Sequence, residues 1–183
     1  MPTFISNLPV HVMVVHAVVV LVPLAVLGSI AVVLWPAARR RYGWLVVVAA
    51  AVATGCIPIA TDTGDGLEHS LPRTDLMAVH THLGDQLLPF VAAMFVFVTA
   101  FVALHQRNGT AARREGPGTM TAAPALTGGV RIVAVVLAAL TVVLAVVSGV
   151  QVYRIGESGA RAAWGDTQYI TPAPGHQLPG GSG

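Results

Sequence analysis

Apolar positions along the chain fall into four blocks nearly free of charge, at residues 10–34, 43–60, 87–104 and 132–150. A helix needs about 20 apolar residues to cross roughly 30 Å of hydrocarbon, and each block is close to that length. A soluble bundle would carry a polar stripe at helical spacing on every helix. Runs such as VVVLVPLAVLGSIAVVLW carry none. The pattern predicts an all-α fold, a four-transmembrane-helix bundle occupying residues 1–165, with helices at about 10–36, 43–61, 77–105 and 130–154. Residues 106–129 read as a flexible cytoplasmic loop, and 166–183 as a disordered tail with no means of packing. The leader MPTFISNLP lacks a basic n-region, and the run after it is too long for a removable h-region, so the first block is expected to persist as a helix.

Composition supports this picture. Of the 183 residues 55% are hydrophobic and 10% charged, against about 25% charged in soluble domains. The net charge of +2 comes with ten basic residues, all Arg and sorted by loop, so it points to topology and not to nucleic acid. Seven of the ten (Arg39, Arg40, Arg41, Arg107, Arg113, Arg114 and Arg131) sit between blocks one and two or blocks three and four, with Glu115 the one acid there. The positive-inside rule places both segments in the cytoplasm and both termini outside; the absence of Lys beside abundant Ala, Val and Gly suggests a high-GC bacterial genome, and so a bacterial plasma membrane. Trp35, Tyr42 and Trp44 flank the first inner segment as an aromatic belt would. Cys56 is the single cysteine and lies inside the second block, where a lone Cys behaves as a small hydrophobe. Ala51 with Gly55, and Ala145 with Gly149, have the spacing of close helix contacts. Pro23, Pro58 and Pro89 each predict a local kink.

The stretch AVHTHLGDQLLPF sets two histidines, a carboxylate and an amide against the third apolar run. Helix one turns apolar after His16 and helix three after Gln86, each for 18 residues, or roughly 27 Å of helix. Helices two and four reach the same level at Asp62 and Gln151. His11, His16, Asp62, His80, His82, Asp85, Gln86, Gln151, Arg154 and Glu157 are therefore candidates for one outward-facing cup. His82 and Gln86 share a face, with Asp85 beside them. His80 lies about 200° from His82 on an ideal helix, so one of the two turns away. The pair expected to face each other is His16 and His82, with His11 and His80 as substitutes.

Two neutral imidazoles on facing helices can ligate haem iron from both sides. Asp85, Gln86, Gln151 or Arg154 would orient those ligands from behind. The same histidines could instead hold copper or zinc, or relay protons. The bland alternative is that polar residues at span ends anchor the helices in the headgroups. Arg154 and Glu157 read first as a local salt bridge, and His69, His105 and His176 as solvated. There is no phosphate loop, CxxC or HExxH, and DTGDG lacks calcium-loop spacing, so no enzyme class is indicated.

LPVHVMVVHAVVVLVPLAVLG resembles the opening of bacterial membrane proteins grouped as domain of unknown function 2231, which typically reads His-Pro, then Val-His, then an apolar run containing Pro. Val12 stands where that family usually has Pro, with His11 and His16 in place. ATGCIPIATDTGD looks like the family's Thr-Gly followed by Asp, matching Thr54, Gly55 and Asp62 or Asp65. VHTHLGDQLLP looks like its third-helix segment, where a single His, here His82, precedes Gly-Asp. VYRIGESGARAAW is similar to an actinobacterial branch. The resemblance covers residues 8 to 165. The family's activity is unassigned, and some members look fused to Rieske iron–sulfur domains, which implies a place near membrane electron transfer. The sequence thus leads to three expectations: a redox-associated subunit or carrier with a bis-histidine haem b or metal site, an accessory subunit of a respiratory complex, or a multimeric transporter or metal-handling protein.

Overall fold

The structure, a computed structural model, describes residues 4–5, 8–68, 75–114 and 128–164. Five helices follow a two-residue antiparallel pairing of Phe4–Ile5 with Leu8–Pro9: α1 (Val10–Leu34), α2 (Pro36–Glu68), α3 (Asp75–Asp85), α4 (Leu87–Arg114) and α5 (Gly128–Trp164). Four spans are long and apolar enough to cross a membrane, the third being α3 and α4 end to end. The chain is an all-α, multi-pass membrane protein.

The helices outrun the blocks that predict them. Helix α2 starts at Pro36 and runs to Glu68, and α4 runs to Arg114, into the segment read as a loop. The inner loop expected between about residues 36 and 43 is helical, and only Trp35 stands between α1 and α2. Backbone bonds from the Trp35 amide to the Ala31 carbonyl (2.9 Å) and from the Arg39 amide to the Trp35 carbonyl (3.0 Å) carry the helical pattern around this corner. Pro36 is well placed there, because its ring presets φ and the first helical position needs no N–H. The remainder of the expected loop and the expected tail from 166 lie outside the described residues.

Neighbouring helices are antiparallel. Gly28 of α1 abuts Val46 of α2, and Gly43 of α2 abuts Val102 of α4. A Cβ on either glycine would come within 2.9 Å or 3.0 Å of the facing valine, so these are true close approaches. The predicted Ala51–Gly55 seam is not one of them, since Ala51 is exposed and Gly55 meets nothing within 4 Å. Ala145 is buried and Gly149 faces Val26, so the second predicted seam does pack.

With lipid as apolar as leucine, close packing of small residues chooses which face turns inward. Helix α5 shows the choice clearly: Thr141, Ala145, Ser148 and Gln151 are buried, while Val143, Val146 and Val150 face out. The core gathers Val22, Ala25, Ala50, Ala53, Val91, Met94 and Val98. Trp35, Tyr42 and Trp44 are exposed, as a belt requires.

Pro23 and Pro58 lie inside continuous helices, whereas the third span breaks at Gln86. Pro89 explains the break. It has no N–H for the carbonyl four residues back, at Asp85, and its ring crowds that carbonyl. The short α3 that results leans on α5 and carries His80 and His82 with it.

Candidate functional site

At the end of the bundle away from Arg39–Arg41 a cavity of about 140 Å³ opens among α1, α2, α3, α4 and α5. Val15, Val18, Ile57, Leu87, Val152 and Ile155 are among the apolar residues of its wall. Its polar members are His11, Thr61, Asp65, His80, Thr81 and Asp85. The facing pair is thus His11 and His80. His16 and His82, the predicted pair, are both exposed and line no part of the cavity. The reason is angular. His11 and His16 are about 140° apart on one helix, as His80 and His82 are about 200° apart on another, so turning one member inward turns its companion away.

Both inward rings are held in the same way. His11 donates from Nδ1 to the Ala60 carbonyl at 3.0 Å. Its ring lies over Gly64, where a Cβ would come within 2.9 Å of Cε1. His80 places Nδ1 3.1 Å from the Ser158 hydroxyl. Its ring lies over Gly159, where a Cβ would sit 3.0 Å from Cε1. Ser158 spends its hydroxyl proton on the Ile155 carbonyl at 2.9 Å, so the hydroxyl accepts from His80 and the proton is on Nδ1. The hydrogen-bond network therefore puts a proton on Nδ1 of both rings, and in the neutral form of each the lone pair is on Nε2.

The remaining donors are spent. Thr61 donates to the Pro58 carbonyl at 3.0 Å and Thr81 to the Ala78 carbonyl at 3.2 Å. Asp65 and Asp85 are exposed at the rim. Among the described residues, the side chains of this cavity offer acceptors.

The rest of the predicted cup divides into a second cluster and the surface. Gln151, 5% exposed, donates to Gln86 Oε1 at 3.1 Å, and the Gln86 amide donates to His82 Nδ1 at 3.2 Å. This chain of three braces the break at Gln86 against α5; it does not stand behind His11 or His80. Asp62 and Arg154 are exposed and outside the cavity wall. Glu157 pairs with Arg161, one turn on, instead of Arg154. His105 is not simply solvated: it donates from Nδ1 to the Phe101 carbonyl at 2.9 Å and packs tilted against the Phe101 ring, with centroids 4.4 Å apart. Arg39 lies over the other side of this cluster, 5.0 Å from the Phe101 centroid. His69 and His176 lie outside the described residues.

The cofactor expectations can be tested on this geometry. The donor set of His11 and His80, two Nε2 lone pairs with Nδ1 anchored, suits haem iron chemically. The space does not: drug-sized ligands already occupy pockets of about 300–1,000 Å³, and a cavity of about 140 Å³ admits no porphyrin unless the helices part. Among the described residues, no group of three or more His, Cys, Asp or Glu is placed to hold a metal ion. Cys56 is a half-buried free thiol against the core, as a small hydrophobe would be.

A family model described as "Predicted membrane protein (DUF2231)" matches residues 7–172. The chain belongs to this family. The match includes all four spans and every member of the cavity, so the pairing of His11 with His80 lies wholly within the family's own domain. No curated protein and no solved structure matches the chain. Sequence reasoning missed Thr61, Thr81, Gly64, Gly159 and Ser158 as parts of the site. The available signal was the pair of small residues Ser158 and Gly159, set two turns beyond Gln151 on the same helix.

Proposed function

We propose that this DUF2231 protein is a redox-associated subunit or carrier of the bacterial plasma membrane, with the histidine end and both termini outside. Its task is to hold a small membrane-soluble molecule between His11 and His80. One observation carries the reading: two imidazoles from different helices, each anchored through Nδ1 and seated on a glycine, line one mainly apolar cavity. Histidines that merely anchored a span would not need matched tautomers or a shared void. The sorting of seven arginines to the opposite end supports the orientation.

The test is to purify the protein from membranes in mild detergent, extract it, and compare its retained compounds with those of a His11→Asn/His80→Asn double variant. Asn keeps an amide donor near the position of Nδ1 and removes Nε2, so the bundle survives. The wild type is expected to retain a small non-lipid compound that the variant loses at least fivefold. A Soret band lost in the variant would make haem b that group, a reading the tautomers favour and the cavity's size opposes. Equal extracts, together with co-purification of a respiratory complex, would overturn the reading in favour of an accessory subunit. Orientation is read separately by labelling Arg40→Cys and Glu157→Cys in a Cys56→Ser background with an impermeant maleimide, where only position 157 is expected to react in intact cells.

A further inference from the structure

From the same site, and resting on the ligand-holding reading above, we infer that the cavity takes the head ring of a lipid-soluble hydroquinone and prefers it to the oxidised quinone. Size comes first. A cavity near 150 Å³ lined by aliphatic side chains holds one benzene ring, and this one measures about 140 Å³ with a mainly aliphatic wall.

Hydrogen bonding narrows the choice further. Each proton donor among the described polar side chains of the wall is committed elsewhere: His11 to Ala60, His80 to Ser158, Thr61 to Pro58 and Thr81 to Ala78. What the two wall histidines leave over, once Nδ1 is committed, is one Nε2 acceptor each, from two helices. A ligand therefore has to bring the donors. A hydroquinone brings two O–H groups at opposite ends of one flat ring. A quinone brings two more acceptor oxygens, which would face the lone pairs with nothing between them. Unmatched buried acceptors are costly, so recognition discriminates by redox state.

The surroundings fit a lipid-soluble ligand over an ionic one. Val19 is at once part of the cavity wall and 47% exposed on the flank of α1, within the span from Met13 to Leu34. The void therefore opens sideways at membrane depth, where an isoprenoid tail would leave. The carboxylates of Asp65 and Asp85 line the cavity but are exposed to solvent, where water and salt screen their attraction for an organic cation.

The experiment is calorimetric titration of the full-length Cys56→Ser protein in nanodiscs, under argon, with methylhydroquinone, methylbenzoquinone, 1,4-dimethoxybenzene and benzylammonium. The thiol is removed because quinones add to thiols. Methylhydroquinone is expected to bind at least tenfold more tightly than the quinone or the dimethyl ether. His11→Asn and His80→Asn, which keep the anchoring bond, are each expected to weaken it about tenfold. Quinone or ether binding as tightly as the hydroquinone would overturn the inference, as would binding indifferent to both Asn variants. Tighter, histidine-dependent binding of benzylammonium would also overturn it, yet leave the ligand-holding reading standing. Failure of all four probes, together with equal extracts from wild type and double variant, would remove both.

Discussion

His11 on α1 donates from Nδ1 to the carbonyl oxygen of Ala60 on α2 at 3.0 Å, joining positions 49 apart in the chain. A side-chain bond of this kind fixes ring orientation as well as tautomer. With the ring resting on Gly64, His11 has little freedom to do anything but face the cavity.

The glycine seats give a first prediction. Ala is favoured over Gly inside a helix by about 1 kcal/mol, so Gly55→Ala and Gly156→Ala, which meet nothing within 4 Å, should leave the melting temperature unchanged or raise it. Gly64→Ala and Gly159→Ala place a methyl within 2.9 Å and 3.0 Å of a histidine ring. They should displace the rings and lower ligand retention severalfold while the protein still folds. Retention at wild-type levels in both would show that the rings are not seated as described.

Pro89 offers a second. Pro89→Ala restores the N–H for the Asp85 carbonyl and removes the ring that crowds it, worth roughly 3 kcal/mol towards a continuous helix. The third span should then straighten through Gln86, swinging α3 off α5 and parting His80 from Ser158. Spin labels on α3 and α5 should move apart by several ångströms, with helix content unchanged or higher. An unaltered distance would mean that contacts with α5, and not the proline, hold the break.

A third concerns the buried amide. Gln151→Leu removes the donor to Gln86 and leaves that side chain to His82 or solvent. Interhelical hydrogen bonds in membranes contribute on the order of 0.6 kcal/mol, and up to about 1.7. Unfolding in mixed micelles should show a loss in that range, larger than for the exposed Arg154→Leu. Equal effects would place the polar brace outside the energetics of the bundle.

At the opposite end, the guanidinium of Arg39 stands 5.0 Å from the Phe101 centroid, tying the α1–α2 corner to α4. Arg39→Ala should cost about 0.5–2 kcal/mol through the lost cation–π contact, Arg39→Lys less, and the exposed Arg40→Ala close to nothing. Micelle unfolding of the three variants orders them, and a cost at Arg40 equal to that at Arg39 would sink the assignment.

How much of this was legible beforehand differs from residue to residue. The four blocks predicted four spans because length and apolarity alone satisfy the hydrocarbon. The seam at Ala145 and Gly149 was readable, since it belongs to the buried stripe of small and polar residues on α5. The seam at Ala51 and Gly55 read just as well and does not pack, because small residues at four-residue spacing permit a close approach without requiring a partner. The histidine level was readable from where each apolar run stops. The pairing of His16 with His82 was not, and it came out as His11 with His80.

What the chain's order of residues determined alone is the membrane residence, the number of spans, the sorting of seven of the ten arginines to one end and of His11, His16, His80 and His82 to the other, and one polar level at which the apolar runs stop. These follow from one-dimensional quantities: the cost of charge in hydrocarbon and the rise of a helix. Which histidines meet was decided in three dimensions, by the rotation of α1 about its axis and by the lean of α3 after Pro89. A nearly uniform apolar helix carries no moment to set that rotation, so it is settled by contacts between distant segments: His11 against Ala60 and Gly64, and His80 against Ser158 and Gly159.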